Sequence, residues 1–186
     1  MISGVERFNT GLDTSFNNYI IKQLYMHSSW ALSYDEDLIT KGVLRASKDM
    51  HTYSDSGMLL KSFDIYQSDY LNQHNLVLNN LADLIFNIII EKQKKYLFKG
   101  PQVTRILWNY YNRSSTGVEH VDSCEPNTGS IIYYLNTCDS FTFINEEYID
   151  CVMGTGAIFS ANSVHRGTGP TKSKNKFALN ILFKYK

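Results

Sequence analysis

A chain of 186 residues with 43% apolar and 13% aromatic side chains is long enough for one packed domain and too apolar for disorder. Lys+Arg and Asp+Glu both number 18, so the formal net charge is +0 and nothing in the balance asks for nucleic acid or a membrane surface. The 3 cysteines (Cys124, Cys138, Cys151) lack zinc-type spacing, no apolar run is long enough to span a bilayer, and no signal peptide is evident; together these predict reduced thiols in a cytoplasmic protein.

Residues 1–11 form a polar lead with little pattern. Asp13 or Thr14 suits a helix cap, and Phe16, Tyr19, Ile20 and Leu24 share one helical face, which predicts a helix ending near Ser28 and Ser29. Trp30 to Leu32 predicts a short strand. Asp35 to Gly57 has few apolar anchors and reads as a loop, either a lid over a site or an ordinary connector. Its His51 and Asp55 read as solvated side chains. Met58 to Tyr66 alternates in part and predicts a strand. From Ser68 to about Phe98 the pattern is helical, with Val77, Leu81, Leu84, Ile85 and Ile88 on one face. Lys92, Lys94 and Lys95 suit its last turns, and Gly100–Pro101 stops it.

After Pro101 the period changes to two. Arg105 to Tyr110 predicts a strand, with Tyr110 in phase with Ile106 and Trp108. Further short strands are expected at 118–122, 131–136, 141–144, 157–160, 163–166 and 176–183, separated by turns. That count fits a mainly β fold with flanking helices (α+β): a double-stranded β-helix, or cupin-like jelly roll, with N-terminal helices packed outside. One domain is expected over 1–186, with 1–100 as helical support and candidate lid and 101–186 as the metal-binding barrel core.

The chemistry concentrates at His120-Val121-Asp122. On a strand, residues i and i+2 point the same way, so this imidazole and carboxylate would project together. A metal centre needs a third ligand, and His165 is the expected supplier. Two histidines and one carboxylate on one face of an ion, with the other face open, is the donor set of non-haem Fe(II) oxygenases. The pair alone is a weak signal, since a surface His beside a turn Asp looks the same. The segment after His165 strengthens it. Gly167, Gly169 and Pro170 read as a turn, and then positions 177, 179, 181 and 183 are large and apolar while 176, 178 and 180 are Lys, Ala and Asn. Lys176 would therefore point into the cavity lined by the polar face, where a cation beside a metal suits an anionic co-substrate.

His120-x-Asp122, His165 and a basic residue opening the last strand together resemble the 2-oxoglutarate- and Fe(II)-dependent dioxygenases, in their prolyl hydroxylase-like branch. The runs from Tyr110 through Gly117 to Asp122 and from Ile132 to Asn136 look like matching runs in that branch, and the likeness covers Arg105 to Phe183. It departs at Lys176, where many members carry Arg, and in a slightly longer interval from His165 to Lys176. It departs again at Asp139–Ser140, where many members place two glycines. The resemblance implies Fe(II) held by His120, Asp122 and His165, and 2-oxoglutarate with its far carboxylate on Lys176 and Tyr134. It also implies O2 as second co-substrate and admits ascorbate. Tyr110 would either lean over the co-substrate or fill the barrel mouth. Arg166 would face away from the metal by alternation. The implied reaction is hydroxylation of an aliphatic C–H, with a prolyl residue in a peptide or protein as one candidate. Two alternatives stand beside it: a metal-binding jelly roll without turnover, as scaffold or sensor, and the same chemistry on a small metabolite or alkylated base. The expected partner is a peptide, protein or small-molecule substrate, with no nucleic acid and no membrane; the oligomeric state is not legible.

Overall fold

The computed structural model describes residues 2–26, 31–32, 57–64, 76–97, 99–113, 115–117 and 119–186. The expected lid at 35–56 and the expected helix start at 68–75 lie outside them, as do His51 and Asp55. In chain order the elements are β1 (Glu6–Asn9), α1 (Thr14–Met26), β2 (Ala31–Leu32), β3 (Gly57–Asp64), α2 (Leu76–Lys92), α3 (Lys94–Leu97) and β4 (Gln102–Asn112). They continue with β5 (Thr128–Tyr134), β6 (Phe141–Ile144), β7 (Glu147–Asp150), β8 (Thr155–Ser160), β9 (His165–Gly167) and β10 (Asn175–Lys184). A seven-stranded sheet runs β1-β8-β5-β10-β4-β3-β2, and a three-stranded sheet runs β7-β6-β9. Two antiparallel sheets with helices on the outside of the larger one are the jelly roll that the strand spacing predicts.

The alternation in β10 explains the layering. Phe177, Leu179, Ile181 and Phe183 face one way, into a core shared with Ile20 and Leu24 of α1 and with Ile85 and Ile89 of α2. Ile106 and Trp108 of β4 and Ile131 and Tyr133 of β5 join them. Each such fully buried side chain stabilises the fold by about 1.5–3 kcal/mol. The opposite face of the same strands points between the two sheets. There Ile132, Tyr134, Ala157, Phe159 and Ala178 meet Ile144 and Ile149 of the smaller sheet. Asp13 caps α1, its Oδ1 accepting from the Phe16 amide at 2.7 Å.

Several expectations shift. β1 lies in the supposedly patternless lead, because only Phe8 of that strand is buried and one apolar residue makes no period. β7 is missed for the same reason, Ile149 being its only buried side chain. The long helix is interrupted at Gln93, between α2 and α3. The expected strand at 118–122 is not continuous. Thr116 and His120 make isolated bridges to Thr168 and His165, after which the Asp122 and Ser123 amides both donate to Ala161 O, at 2.9 and 3.0 Å. The chain curls off the ladder at the carboxylate instead of running past it.

Gly156 marks the tightest approach in the larger sheet: a Cβ there would sit 1.9 Å from Ile132 O and 2.7 Å from Phe8 Cζ. Gly156→Ala should therefore force β5 and β8 apart and cost about 3 kcal/mol, read as a lower urea midpoint at unchanged slope.

Candidate metal centre

His120 and His165 exchange two backbone hydrogen bonds, His120 N to His165 O at 3.0 Å and His165 N to His120 O at 2.9 Å. Residues paired this way lie directly opposite each other and project to the same face. Their rings stand 4.3 Å apart, centroid to centroid. The curl at 122 then delivers Asp122 Oδ2 to 3.4 Å from His165 Nε2. One donor atom from each of His120, Asp122 and His165 lies within 4.8 Å of the others, and among the described residues no other such cluster occurs.

The donor chemistry suits a divalent ion. His165 Nδ1 lies 3.0 Å from Ser163 O, which places its proton there and leaves the Nε2 lone pair toward Asp122. Burial pushes His165 below its ordinary pKa, more than Asp122 raises it, so the imidazole is neutral at neutral pH. Burial alone would raise Asp122. The Arg105 guanidinium, the two imidazoles and the Ser130 hydroxyl outweigh it and hold the carboxyl well below the usual carboxylate range. An ionised carboxylate and a neutral imidazole are the protonation states that metal ligation requires.

The carboxylate is itself held by a set of side chains that sequence reasoning missed. Arg105 Nη2 donates to Asp122 Oδ1 and, at 3.3 Å, to Asn180 Oδ1. Ser130 Oγ donates to Asp122 Oδ2 at 2.5 Å, and Asn180 Nδ2 donates to the same oxygen at 3.3 Å and to Ser130 Oγ at 3.0 Å. Arg105 and Ser130 both lie opposite Leu182, on β4 and β5, with Asn180 two residues along β10. Strand phase already put Arg105 on the face opposite Ile106. Its meeting with Asp122 depends on the register between strands, which no local pattern encodes.

Four residues from Asn180, on the same face, Lys176 is fully buried. Its Nζ donates to Phe141 O at 2.9 Å, Thr168 O at 3.2 Å and Thr142 Oγ1 at 3.3 Å, and lies 5.2 Å from the ring centroids of both Tyr111 and Tyr134. Every one of these neighbours is uncharged, and no carboxylate pairs with it among the described residues. Burial pulls its pKa down to about 8, against the nearby Cys151 and Cys138 thiols, which raise it. Tyr134 is buried beside it, its hydroxyl donating to Ile149 O at 3.1 Å, so it presents ring to the ammonium and directs its proton to the backbone.

Tyr110 is elsewhere. Its ring packs on Phe177 at 5.0 Å, on the helix-covered side of the sheet. Being in phase with Ile106 and Trp108, it shares their face, and the alternation gives the inner position to Tyr111, which lies directly opposite Lys176. Arg166 points away from the triad as expected, toward Glu119 at 3.6 Å and the Phe143 ring.

Scans of the sequence against family models and against curated proteins return no match. The fold does: it is that of the 2-oxoglutarate- and Fe(II)-dependent oxygenases, the class that the motif order resembles. One similar structure is the viral collagen prolyl hydroxylase of Paramecium bursaria Chlorella virus-1 in its 2OG complex, at 14% identity and a TM-score of 0.56 over 98% of this chain and 96% of that one. The non-heme alpha ketoglutarate dependent epimerase SnoN from nogalamycin biosynthesis aligns at 8% identity and a TM-score of 0.68, over 97% of this chain and 77% of its own. HygX from Streptomyces hygroscopicus, with nickel and 2-oxoglutarate bound, aligns at 6% identity and 0.63, over 98% and 83%.

Removing Arg105 leaves a buried carboxylate without its main counter-charge. Arg105→Leu should destabilise the metal-free protein by about 3 kcal/mol. Added Mn(II) or Ni(II) should recover much of that loss by supplying positive charge to Asp122, so the variant gains more in Tm from metal than the wild type does. An equal gain in both proteins would show that Arg105 does not serve the carboxylate.

Proposed function

We propose that the chain is a 2-oxoglutarate- and Fe(II)-dependent oxygenase that hydroxylates an aliphatic C–H, with residues 1–186 as one oxygenase domain. The observation that carries the reading is the pairing, along one inner face of β10, of a His-Asp-His cluster near Asn180 with a buried ammonium at Lys176 that no carboxylate pairs among the described residues. Four strand residues span roughly 13 Å between Cα atoms. Ala178, the residue between them on that face, is small and fully buried beside Ile132, Tyr134 and Phe159. The proposed dicarboxylate would run along this face, with one end at the triad and the other at Lys176.

His120, Asp122 and His165 would hold the iron, and Arg105, Ser130 and Asn180 would keep the carboxylate aimed at it. Bound there, the Fe(II) centre supplies the oxidising chemistry that couples decarboxylation of 2-oxoglutarate to C–H hydroxylation. Lys176 would take the far carboxylate as a charge-assisted hydrogen bond in a dry site, where it is strongest. Tyr111 and Tyr134 would wall the ammonium from water. Tyr134 supports the site through its ring; its hydroxyl is directed at Ile149 O.

A prolyl residue in a peptide is the first substrate to test, since prolyl hydroxylases of a chlorella virus and of Pseudomonas putida share the fold over nearly their whole length. The second reading, a small-molecule substrate, draws on the higher TM-score, 0.68, of the epimerase SnoN, which is also known in complex with nogalamycin RO. No helix among the described residues is long and apolar enough to cross a membrane. The cytoplasmic placement rests on the three free thiols.

The enzyme and the non-catalytic scaffold separate in one assay. Under anaerobic conditions Fe(II) and 2-oxoglutarate should give a weak visible charge-transfer band, lost in His120→Ala, and oxygen should then yield succinate. A protein that binds metal but gives neither band nor succinate is the scaffold.

Lys176 also sets a pH dependence. With its pKa near 8, the unliganded side chain is charged below pH 8 and neutral above it. Affinity for 2-oxoglutarate should be level up to about pH 8 and then fall about tenfold per pH unit. Lys176→Met should bind weakly at every pH yet be no less stable. Thr168 O keeps the Ser140 hydroxyl at 2.7 Å, and Phe141 O keeps the Thr168 amide and hydroxyl at 3.1 and 3.0 Å, so neither carbonyl is orphaned. Titration calorimetry for affinity and a thermal melt for stability check both halves.

A further inference from the structure

Cys138 and Cys151 meet at one end of the smaller sheet. Their local geometry is a bulge: the Cys138 amide donates to Cys151 O at 3.1 Å, the Cys151 amide to Ser140 O at 3.0 Å, and the Ser140 amide back to Cys138 O at 2.9 Å. Asp139 is thereby turned outward, and both of its neighbours bond to Cys151. The bulge is fixed from outside. Asp139 Oδ2 accepts from the Thr171 amide, the Thr171 hydroxyl and the Lys172 amide at 3.1, 2.6 and 2.6 Å, and Oδ1 accepts from the Ser173 amide at 2.8 Å. This is the pair of positions where many members of the resembling family place two glycines, and the acid does what glycine cannot.

Cys138 packs against the same inter-sheet cluster that contains Cys151, and Cys151 Sγ donates to Asn136 O at 3.2 Å. Cys151 is buried in the inter-sheet core, whereas Cys138 is partly exposed. The hydrogen bond from the Cys138 amide to Cys151 O brings the two backbones as close as antiparallel neighbours, whose Cα separations fall inside the range a disulfide accepts. The thiols also differ in acidity. The bond from Cys151 lowers Cys138 to about 7, against burial and with help from the Lys176 ammonium, while the same contact and burial push Cys151 up.

We infer that Cys138 and Cys151 are a redox-active dithiol, with Cys138 the attacking and Cys151 the resolving sulfur, closed to an intramolecular disulfide by a peroxide. The Cys138 thiolate attacks one peroxide oxygen, the O–O bond breaks and water leaves, giving a sulfenic acid. The Cys151 sulfur then attacks that sulfur, the S–O bond breaks, and the Cys151 proton departs in a second water. Two thiols are oxidised and one peroxide is reduced. The site does not depend on the oxygenase reading, and it would place a reversible centre beside the Lys176 ammonium.

The test uses the full chain with Cys124→Ser, which removes the exposed thiol and its intermolecular reactions. After hydrogen peroxide treatment, both remaining thiols should be lost together, with the chain lighter by two hydrogens. Glutamyl endopeptidase cuts at Glu146 and Glu147, between the two, and should release their peptides as one cross-linked species that dithiothreitol separates. Cys151→Ser should stop at a Cys138 sulfenic acid trapped by dimedone, and Cys138→Ser should leave Cys151 unreacted in the folded protein. Should Cys151→Ser fail to fold, the cross-link map and Cys138→Ser still decide. Thiols that titrate independently, a sulfenic acid that persists with Cys151 present, or cross-links only between chains would each overturn the inference.

Discussion

A strand in the middle of a sheet has only two faces, and in β10 they serve different ends. One face is a row of Phe177, Leu179, Ile181 and Phe183 that anchors the helices. The other holds Lys176, Ala178 and Asn180, which line the candidate site. The side-chain period of two couples these roles, since a slip by one residue would expose the apolar row and bury the wrong set. The hydrophobic core on the helix side therefore sets the register that the polar side needs. Precision at the site is inherited from burial elsewhere, in a protein whose net charge offers no long-range electrostatic guidance.

Two buried charges are treated in opposite ways. Asp122 is surrounded by donors: a guanidinium, a hydroxyl and an amide all reach its oxygens. Lys176 meets carbonyls, a hydroxyl, the faces of two aromatic rings and the nearby Cys138 and Cys151 thiols, but no carboxylate among the described residues. A desolvated cation with neutral partners carries a cost that the fold does not offset locally, and Lys176→Met would relieve it. That asymmetry is what the proposed anion site at Lys176 rests on. The carboxylate end is complete as it stands; the ammonium end is not.

The residues legible in sequence were those whose signal is local. His120 and Asp122 sit two apart, the alternation around Lys176 spans eight residues, and both patterns survive folding. The jelly roll and the outer helices also follow from spacing and period. Short strands with one buried residue, β1 and β7, left no pattern to read. Tyr110 was a failure of inference: its shared phase with Ile106 and Trp108 already assigned it to the helix side, and its neighbour Tyr111 to the inner one. Arg105, Ser130 and Asn180 were illegible for another reason. They come from three strands and converge only once register is set, information that resides in the whole sheet. Asp139, a departure from the family pattern when read alone, became intelligible when the loop at 171–173 was seen to hang from its carboxylate.

The triad straddles a seam. His165 belongs to the smaller sheet and His120 is bonded to it, whereas Asp122 is gripped by side chains of β4, β5 and β10 in the larger one. Any ion held by all three would act as a clasp between the two layers. The gap it must bridge is set by the hydrocarbon between them, above all Phe159, whose ring lies 4.9 Å from that of His165. Filler thickness thus becomes a tuning screw for coordination: trimming or swelling that one aromatic spacer would alter ligand spacing, and with it the preference among metals, without touching a donor atom.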